Sequence, residues 1–175
     1  MHFKIFKYYF INSFDTNNLK KQDKETIIIY RNYSSKNIDI TKLIKFKKFL
    51  RKRGNKLFIA NNFKLALKLG LDGIYIPSFN KEFYHLAYST TLNFEIVGSA
   101  HNLKEIRTKE LQKVQKIFIS SLFKKNKNYL GLNKFKILKK FTKKEVIALG
   151  GISSRNIKKI HLAKLSSIAG ISYFK

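Results

Sequence analysis

The 175-residue chain contains no cysteine, which removes disulfides, thiolate metal sites and cysteine nucleophiles from consideration. Acidic residues are scarce as well. Ten Asp and Glu stand against 37 Lys and Arg, so a site for a hard cation has few carboxylates to draw on. No apolar run reaches the roughly 20 residues of a membrane-spanning helix, and no membrane partner is expected. The opening Met1-His2-Phe3-Lys4-Ile5-Phe6-Lys7 interrupts its apolar character with lysine too often for a secretory leader, so a cytoplasmic location is the expectation. Strings typical of a helix-turn-helix, a zinc finger or an RNP motif are missing too.

What remains is a core-forming, strongly basic chain. Apolar residues make up 44% and the mean hydropathy is -0.27, which suits one globular domain over residues 1–175. The formal charge is +27. A field of that sign attracts polyanions such as nucleic acid, anionic lipid or phosphorylated metabolites. The lysines, however, are scattered over nearly every segment and accompany an excess of Asn, Ile, Phe and Tyr. That reads as compositional drift, and a small phosphorylated metabolite is expected as partner ahead of nucleic acid.

Short β-rich runs recur at a spacing of about 20 residues, and most are continuously apolar, as strands buried on both faces of a parallel sheet are. They are residues 7–11 (KYYFI), 26–30 (TIIIY), 57–60 (LFIA), 73–76 (GIYI), 94–97 (FEIV), 116–120 (KIFIS), 146–149 (VIAL) and 168–173 (IAGISY). Helical patterns lie between them. Residues 40–53 carry Ile40, Leu43, Ile44 and Leu50 broadly on one face, with Asp39 placed to cap the start and Gly54 the end. Residues 62–69 stop at Gly70. Leu103, Ile106, Leu111 and Val114 follow a possible cap at Asn102. Leu132, Phe135, Leu138 and Phe141 keep helical spacing, as do Ile157 and Ile160 behind Ser153 and Ser154, while His85 and His161 lie on helical patterns of their own. Strands alternating with helices imply right-handed βαβ units. Eight of them predict an α/β fold, a (β/α)8 TIM barrel, with an open doubly wound sheet as the alternative.

The expected barrel is incomplete at two places. The segment between the first two strands is short, polar and Asn-rich, so its helix is short or absent. The last strand runs to the end of the sequence given, so the eighth helix is missing. Strands eight, one and two would then share an outer face with thin cover and with Phe3, Phe6 and Phe10 nearby. Exposed apolar surface of that kind marks a contact, and a homo-oligomer through it is expected unless the N-terminal segment folds over it.

In such barrels the working residues sit at the C-terminal ends of strands and in the loops that follow. There the sequence places Arg31, Asn61 and Asn62, then Pro77, Ser78 and Asn80, then Ser99 and His101. Ser120, Ser121, Lys124 and Lys125 come next, then Gly150, Gly151 and Ser153, and finally Ser172. The set is neutral or basic. Glu95 and Glu145 fall at the opposite face, and only Asp15 and Glu82 are placed to reach this rim, so an anion site without a dedicated metal is the expectation. Gly150-Gly151-Ile152-Ser153-Ser154 joins a strand to a helix start, where backbone amides can approach a ligand closely. Gly170 and Ser172 can add further donors. A tight turn that needs glycine for steric reasons alone is the competing reading. His101, beside Ser99, is the histidine placed for acid–base chemistry. Arg31 can pair bidentately with phosphate, or stand as one more solvated arginine. The Lys124, Lys125 and Lys127 run is either a solvated loop or a cover over an anion.

Several of these segments together resemble one family. Ala60-Asn61-Asn62 through Leu69-Gly70-Leu71-Asp72-Gly73-Ile74-Tyr75-Ile76 resembles a stretch that thiamine phosphate synthases write approximately INDRxxLALxxGADGVHLG. Ser99-Ala100-His101-Asn102 resembles the S-x-H segment, Ser120-Ser121-Leu122-Phe123 the S-P-V-F loop, and Ala148-Leu149-Gly150-Gly151-Ile152 the A-I-G-G-I phosphate motif of the thiamine phosphate synthase/TenI-like family. The resemblance covers about residues 26–175 and implies a TIM barrel that binds thiazole phosphate. In the synthase branch it also implies a pyrimidine pyrophosphate with Mg2+, whose pyrophosphate is displaced in joining the halves of thiamine phosphate. Arg31 then matches the substrate arginine and Ser99 the pyrophosphate-contacting serine, while Gly150, Gly151 and Ser172 match the thiazole-phosphate site. Asn61 and Asn80 stand where the family holds Mg2+ with aspartates, Tyr33 replaces a basic residue, and lysines replace a threonine-rich loop. In the TenI-like branch the S-x-H histidine, here His101, is implied to shuttle a proton in a tautomerisation that needs no metal. Mg2+-dependent condensation and metal-free tautomerisation are thus the two catalytic expectations, in thiamine biosynthesis or salvage. A non-catalytic phosphate-binding barrel and a basic nucleic-acid-binding barrel are the alternatives.

Overall fold

The computed structural model describes residues 5–33, 38–163 and 165–174. Eight strands, β1 (Phe6–Ile11), β2 (Ile27–Tyr30), β3 (Leu57–Ala60), β4 (Gly73–Ile76), β5 (Glu95–Ala100), β6 (Lys116–Ile119), β7 (Glu145–Leu149) and β8 (Ser167–Gly170), pair in sequence order. They close into a barrel in which β8 meets β1, with parallel pairing throughout. Six helices occupy the crossovers: α1 (Thr16–Lys20), α2 (Ile40–Arg53), α3 (Phe63–Lys68), α4 (Leu103–Leu111), α5 (Gly131–Lys140) and α6 (Ile157–Leu162). This is the (β/α)8 TIM-barrel fold with a short first helix, as the strand–helix alternation predicts. No helix among the described residues is long and apolar enough to cross a membrane.

Closure explains the continuous apolar runs, because both faces of each strand are covered. One parity points into the barrel. Tyr8, Phe10, Ile27, Ile29, Phe58, Tyr75, Val97, Phe118, Ile147 and Ala169 form a single interior cluster. In it Phe10 lies edge-on to Tyr75 at 5.0 Å and Tyr8 edge-on to Phe118 at 5.1 Å, and each such pair adds about 0.5–1.5 kcal/mol beyond its area burial. The other parity packs under the helices: Tyr9, Ile28, Tyr30 and Ile59 against Leu43, Phe46 and Leu50 of α2, and Ile117, Val146 and Ile168 against Ile106, Phe135 and Ile160 of α4, α5 and α6. Helix α2 shows why its limits were readable. The Asp39 carboxylate accepts from the Lys42 amide at 2.9 Å, and Gly54 ends the helix at φ 80°, a left-handed backbone that favours glycine.

Polar residues close the N-terminal end of the interior. Lys116 Nζ donates to the Tyr8 hydroxyl at 3.0 Å and lies 3.3 Å from Glu95 and 3.6 Å from Glu145. Ser167 donates to Glu145 at 2.6 Å, and Lys56 pairs with Glu95 at 2.6 Å. Burial alone would lower the Lys116 pKa; the Tyr8 hydrogen bond and the two carboxylates outweigh it and hold the ammonium above the usual lysine range.

The structure departs from the sequence reading in four places. The fourth crossover has no α-helix, only a 3₁₀ turn at Tyr84–Ala87, so His85 sits on that turn with Nε2 2.8 Å from the Gln112 carbonyl. Phe10 points into the barrel and Tyr9 takes the outer face. That outer face is partly covered: Phe174, in the 3₁₀ turn Ser172–Phe174, stacks on Tyr9 at 4.9 Å, its carbonyl accepts from Gln22 Nε2, and Leu19 of α1 is buried beside it. Phe6 is 45% exposed, and Phe3 lies outside the described residues. Finally, β5 runs to Ala100, placing Ser99 within the strand, whereas β8 stops at Gly170, leaving Ser172 beyond it.

Candidate active site at the barrel mouth

The Gly150-Gly151 turn follows β7 directly. Gly150 has φ 101° and Gly151 φ 73°, and the direction a side chain would take is filled at both. A Cβ on Gly150 would lie 2.5 Å from Ser121 Oγ, and one on Gly151 2.4 Å from the Lys124 amide nitrogen. The turn is tied to the loop after β6 by bonds from the Leu122 amide to the Leu149 carbonyl and from the Phe123 amide to the Gly150 carbonyl, at 2.9 and 2.8 Å. Steric necessity therefore accounts for both glycines. It leaves the amides untouched. Among the described residues, none accepts a hydrogen bond from the amides of Gly150, Gly151, Ile152 or Ser172. Successive bare amides of this kind form an anion-binding concavity. The helix behind them contributes little, since α6 has six residues. Its cap position is Asn156 rather than Ser153 or Ser154, and the Asn156 side chain turns away from the helix, with Oδ1 accepting from the preceding Ser153 amide at 2.9 Å. Beside Gly170 the space is open, with nothing within 4 Å of a Cβ built there. Lys125 is exposed, on a loop closed at its base by the Leu130 amide bonding to the Ser121 carbonyl.

Arg31, just past β2, lies over the Phe10 ring with its guanidinium carbon 4.9 Å from the centroid. The stacking holds the planar group at the top of the interior cluster. Tyr75 and Ser99 share this layer. Burial raises the Tyr75 phenol, opposed by the neighbouring Ser99 hydroxyl and by Arg31. Tyr33 stands edge-on to Phe79 at 5.4 Å, and burial with Tyr75 nearby raises its phenol as well.

His101 is half-buried at the end of β5, and its geometry selects one tautomer. Nδ1 lies 2.8 Å from the Ser120 carbonyl and 3.0 Å from Ser120 Oγ. A carbonyl only accepts, so Nδ1 carries the proton and the lone pair of the neutral ring sits on Nε2. No described residue bonds Nε2. The backbone is held too. Glu105 Oε2 accepts from the His101 amide at 2.7 Å, and Asn102 Oδ1 accepts from the Glu105 amide at 2.9 Å, a variant of the capping box at the start of α4 in which the glutamate reaches the residue before the cap.

Asn61 and Asn80 come together between β3 and β4. Asn61, at φ 59°, accepts from Asn80 Nδ2, and Asn80 Oδ1 in turn accepts from the Glu82 amide at 2.7 Å. Both side-chain oxygens are thus engaged and neither carries charge. No group of three or more His, Asp or Glu that could hold a metal exists among the described residues. Two neutral amides hold Mg2+ less well than two aspartates would, and Glu82 is the carboxylate that lines the same pocket.

A family model described as thiamine monophosphate synthase matches residues 18–174. The chain belongs to that family. "Putative thiamine-phosphate synthase 2" of Aquifex aeolicus (strain VF5) is 30% identical over 146 residues, 79% of this chain and 77% of the relative. Among solved structures, the thiamine phosphate pyrophosphorylase of Pyrococcus furiosus superposes with a TM-score of 0.73 at 18% identity, covering 97% of this chain and 85% of that one. The CutC protein of Streptococcus agalactiae follows at a TM-score of 0.71, 12% identity and coverage of 97% and 99%. At those identities the two structures speak to the fold alone. Within the thiamine monophosphate synthase frame, the rim unites Arg31 with Ser99, and Asn61 with Asn80, while Lys125 stays on an exposed loop. Glu105 and Tyr75 were not read from the sequence as site residues. The Asn102–Glu105 spacing was the available signal for the first of them.

Proposed function

We propose that this family member binds a thiazole phosphate-type ligand at the barrel mouth and transfers a proton on it through His101, without a divalent metal. The phosphate accepts from the bare amides after β7 and β8, with the basic field of the chain drawing it in. His101 Nε2 takes a proton from one position of the heterocycle, and the imidazolium returns one to another, so the step is balanced within the ligand. Arg31 and Ser99 orient the remaining polar groups. The observation that carries this reading is the histidine itself: Nδ1 is fixed by Ser120, Nε2 has no partner among the described residues, and the Asn61–Asn80 pair is neutral.

Mg2+-dependent condensation with a pyrimidine pyrophosphate is the second reading. It is favoured by the position of Arg31 over the mouth and by the names of the relatives. The experiment that separates them incubates the protein with thiazole phosphates, with and without pyrimidine pyrophosphate, Mg2+ and EDTA. Tautomerisation that survives EDTA and disappears in His101→Ala supports the first reading. Condensation that requires Mg2+ supports the second. Thermal stabilisation by ligand with no turnover assigns a binding role instead.

The same proposal places the protein as a one-domain barrel in the cytoplasm, associating with a second copy through the lower part of the β8–β1–β2 face. Phe6 is exposed there beside a 310 Å³ cavity bounded by Lys7, Asp23, Ile157, His161 and Tyr173. Sedimentation of a strict monomer would remove the association.

A further inference from the structure

Lys109 is fully buried, although nothing in the proton-transfer scheme uses it. It faces β5 from α4 at the point where Gly98 leaves room: a Cβ on Gly98 would stand 2.7 Å from Lys109 Cδ. The methylenes cross that gap, and the ammonium emerges behind the turn that follows β4. There it donates to the Asn80 carbonyl at 2.8 Å and to Gln112 Oε1 at 2.7 Å. Gln112, also fully buried, donates through Nε2 to the carbonyls of Asn80 and Glu82 at 3.2 and 2.8 Å. The segment so gripped is the one in which a 3₁₀ turn stands in place of a helix. These bonds and the His85–Gln112 contact tie it to the end of α4, while Phe63 packs on His85 and Tyr88, and Tyr33 on Phe79.

A buried ammonium is an expensive way to fill a core position, because its hydration is lost. Burial lowers the Lys109 pKa to about 8, with Glu105 pulling the other way. An apolar side chain would pack beside Gly98 without that penalty, but it could not reach the Asn80 carbonyl.

We propose that Lys109, acting with Gln112, is a positioning residue for the ligand-binding rim: it clamps the turn after β4 so that Asn80 stays against Asn61, and so fixes the shape of the mouth between β3 and β4. This rests on the reading that the mouth binds an anionic ligand. A clamp and a mere core residue respond differently to Lys109→Met. Methionine fills the space and removes the buried charge, so Tm at neutral pH holds or rises. Amide hydrogen exchange in residues 80–88 accelerates while the rest of the barrel is unchanged. The Kd for inorganic pyrophosphate, by calorimetry, rises about tenfold, the scale of one lost charge-assisted hydrogen bond.

Unchanged exchange and unchanged pyrophosphate affinity overturn the proposal. So does a large fall in Tm with exchange rising throughout the barrel, which makes Lys109 a core residue only. Should Lys109→Met not fold, Gln112→Met carries the same prediction, and failure of both to fold overturns the positioning role. Absence of binding of both inorganic phosphate and pyrophosphate by the unmodified protein removes the anion-binding reading and the proposal with it, whereas binding that is equal in protein and variant removes the proposal alone.

Discussion

Gly170→Ala separates the two reasons for which glycine stands at this rim. At Gly150 and Gly151 any Cβ collides with the loop after β6 and the backbone is left-handed, so alanine there damages the fold whatever the ligand does. At Gly170 no atom lies within 4 Å of the added carbon and φ is ordinary. The only folding effect is then the smaller conformational freedom of the unfolded chain, which favours alanine by about 0.4–1 kcal/mol. For a chain of this length that corresponds to a rise in Tm of about 1–4 °C. If a phosphate seats against the amides at the end of β8, the new methyl enters its space. Affinity should fall at least tenfold, roughly 1.4 kcal/mol. Differential scanning fluorimetry and calorimetric titration with a thiazole phosphate read the two effects in one preparation. A stable variant with unchanged affinity would put the phosphate elsewhere, and a lower Tm would show that the space beside Gly170 is not open.

Two other contacts, at Glu95 and at Asn102, can be tested in the same way. Burial would raise the Glu95 pKa, but Lys56 and Lys116 outweigh it and hold it below its ordinary 4.5. Its contribution is therefore present above that value and lost as pH falls through the depressed one. Glu95→Gln should reduce stability at neutral pH by about 1–3 kcal/mol and flatten the acid limb of a urea-denaturation series; an unchanged acid limb would dismiss the Lys116 cluster as a stabilising feature. Asn102→Ala removes the α4 cap and should cost about 0.5–2 kcal/mol. Because the same box holds the His101 backbone, the histidine ring signals in NMR should shift with it, and static ring signals would uncouple cap from site.

Where local chemistry brackets an element, its limits were legible in the sequence. Helix α2 begins at Asp39 and ends at Gly54 as read, and β3 and β4 keep their predicted ends. Orientation was less legible. When both faces of a strand are buried, alternation disappears, and nothing in KYYFI says that Phe10 faces inward and Tyr9 outward. The fourth crossover misled because Phe79, Phe83, Tyr84 and Tyr88 form no helical stripe; Phe79 packs on Tyr33 and Tyr88 on Phe63, and Gln112, just past α4, holds the Glu82 carbonyl. Lys109 reads as one more surface lysine; only the space at Gly98, 11 positions away, reveals where it goes. The glycine turn carries both explanations, since packing constrains the Cα side while no described residue accepts from its amides.

The proposed function requires an anion received by those amides. Titrating ¹⁵N-labelled protein with a thiazole phosphate should move the amide signals of Gly150, Gly151, Ile152 and Ser172 first and together, saturating with one affinity. Shifts spread over the exposed lysine loops, with these four amides still, would contradict it.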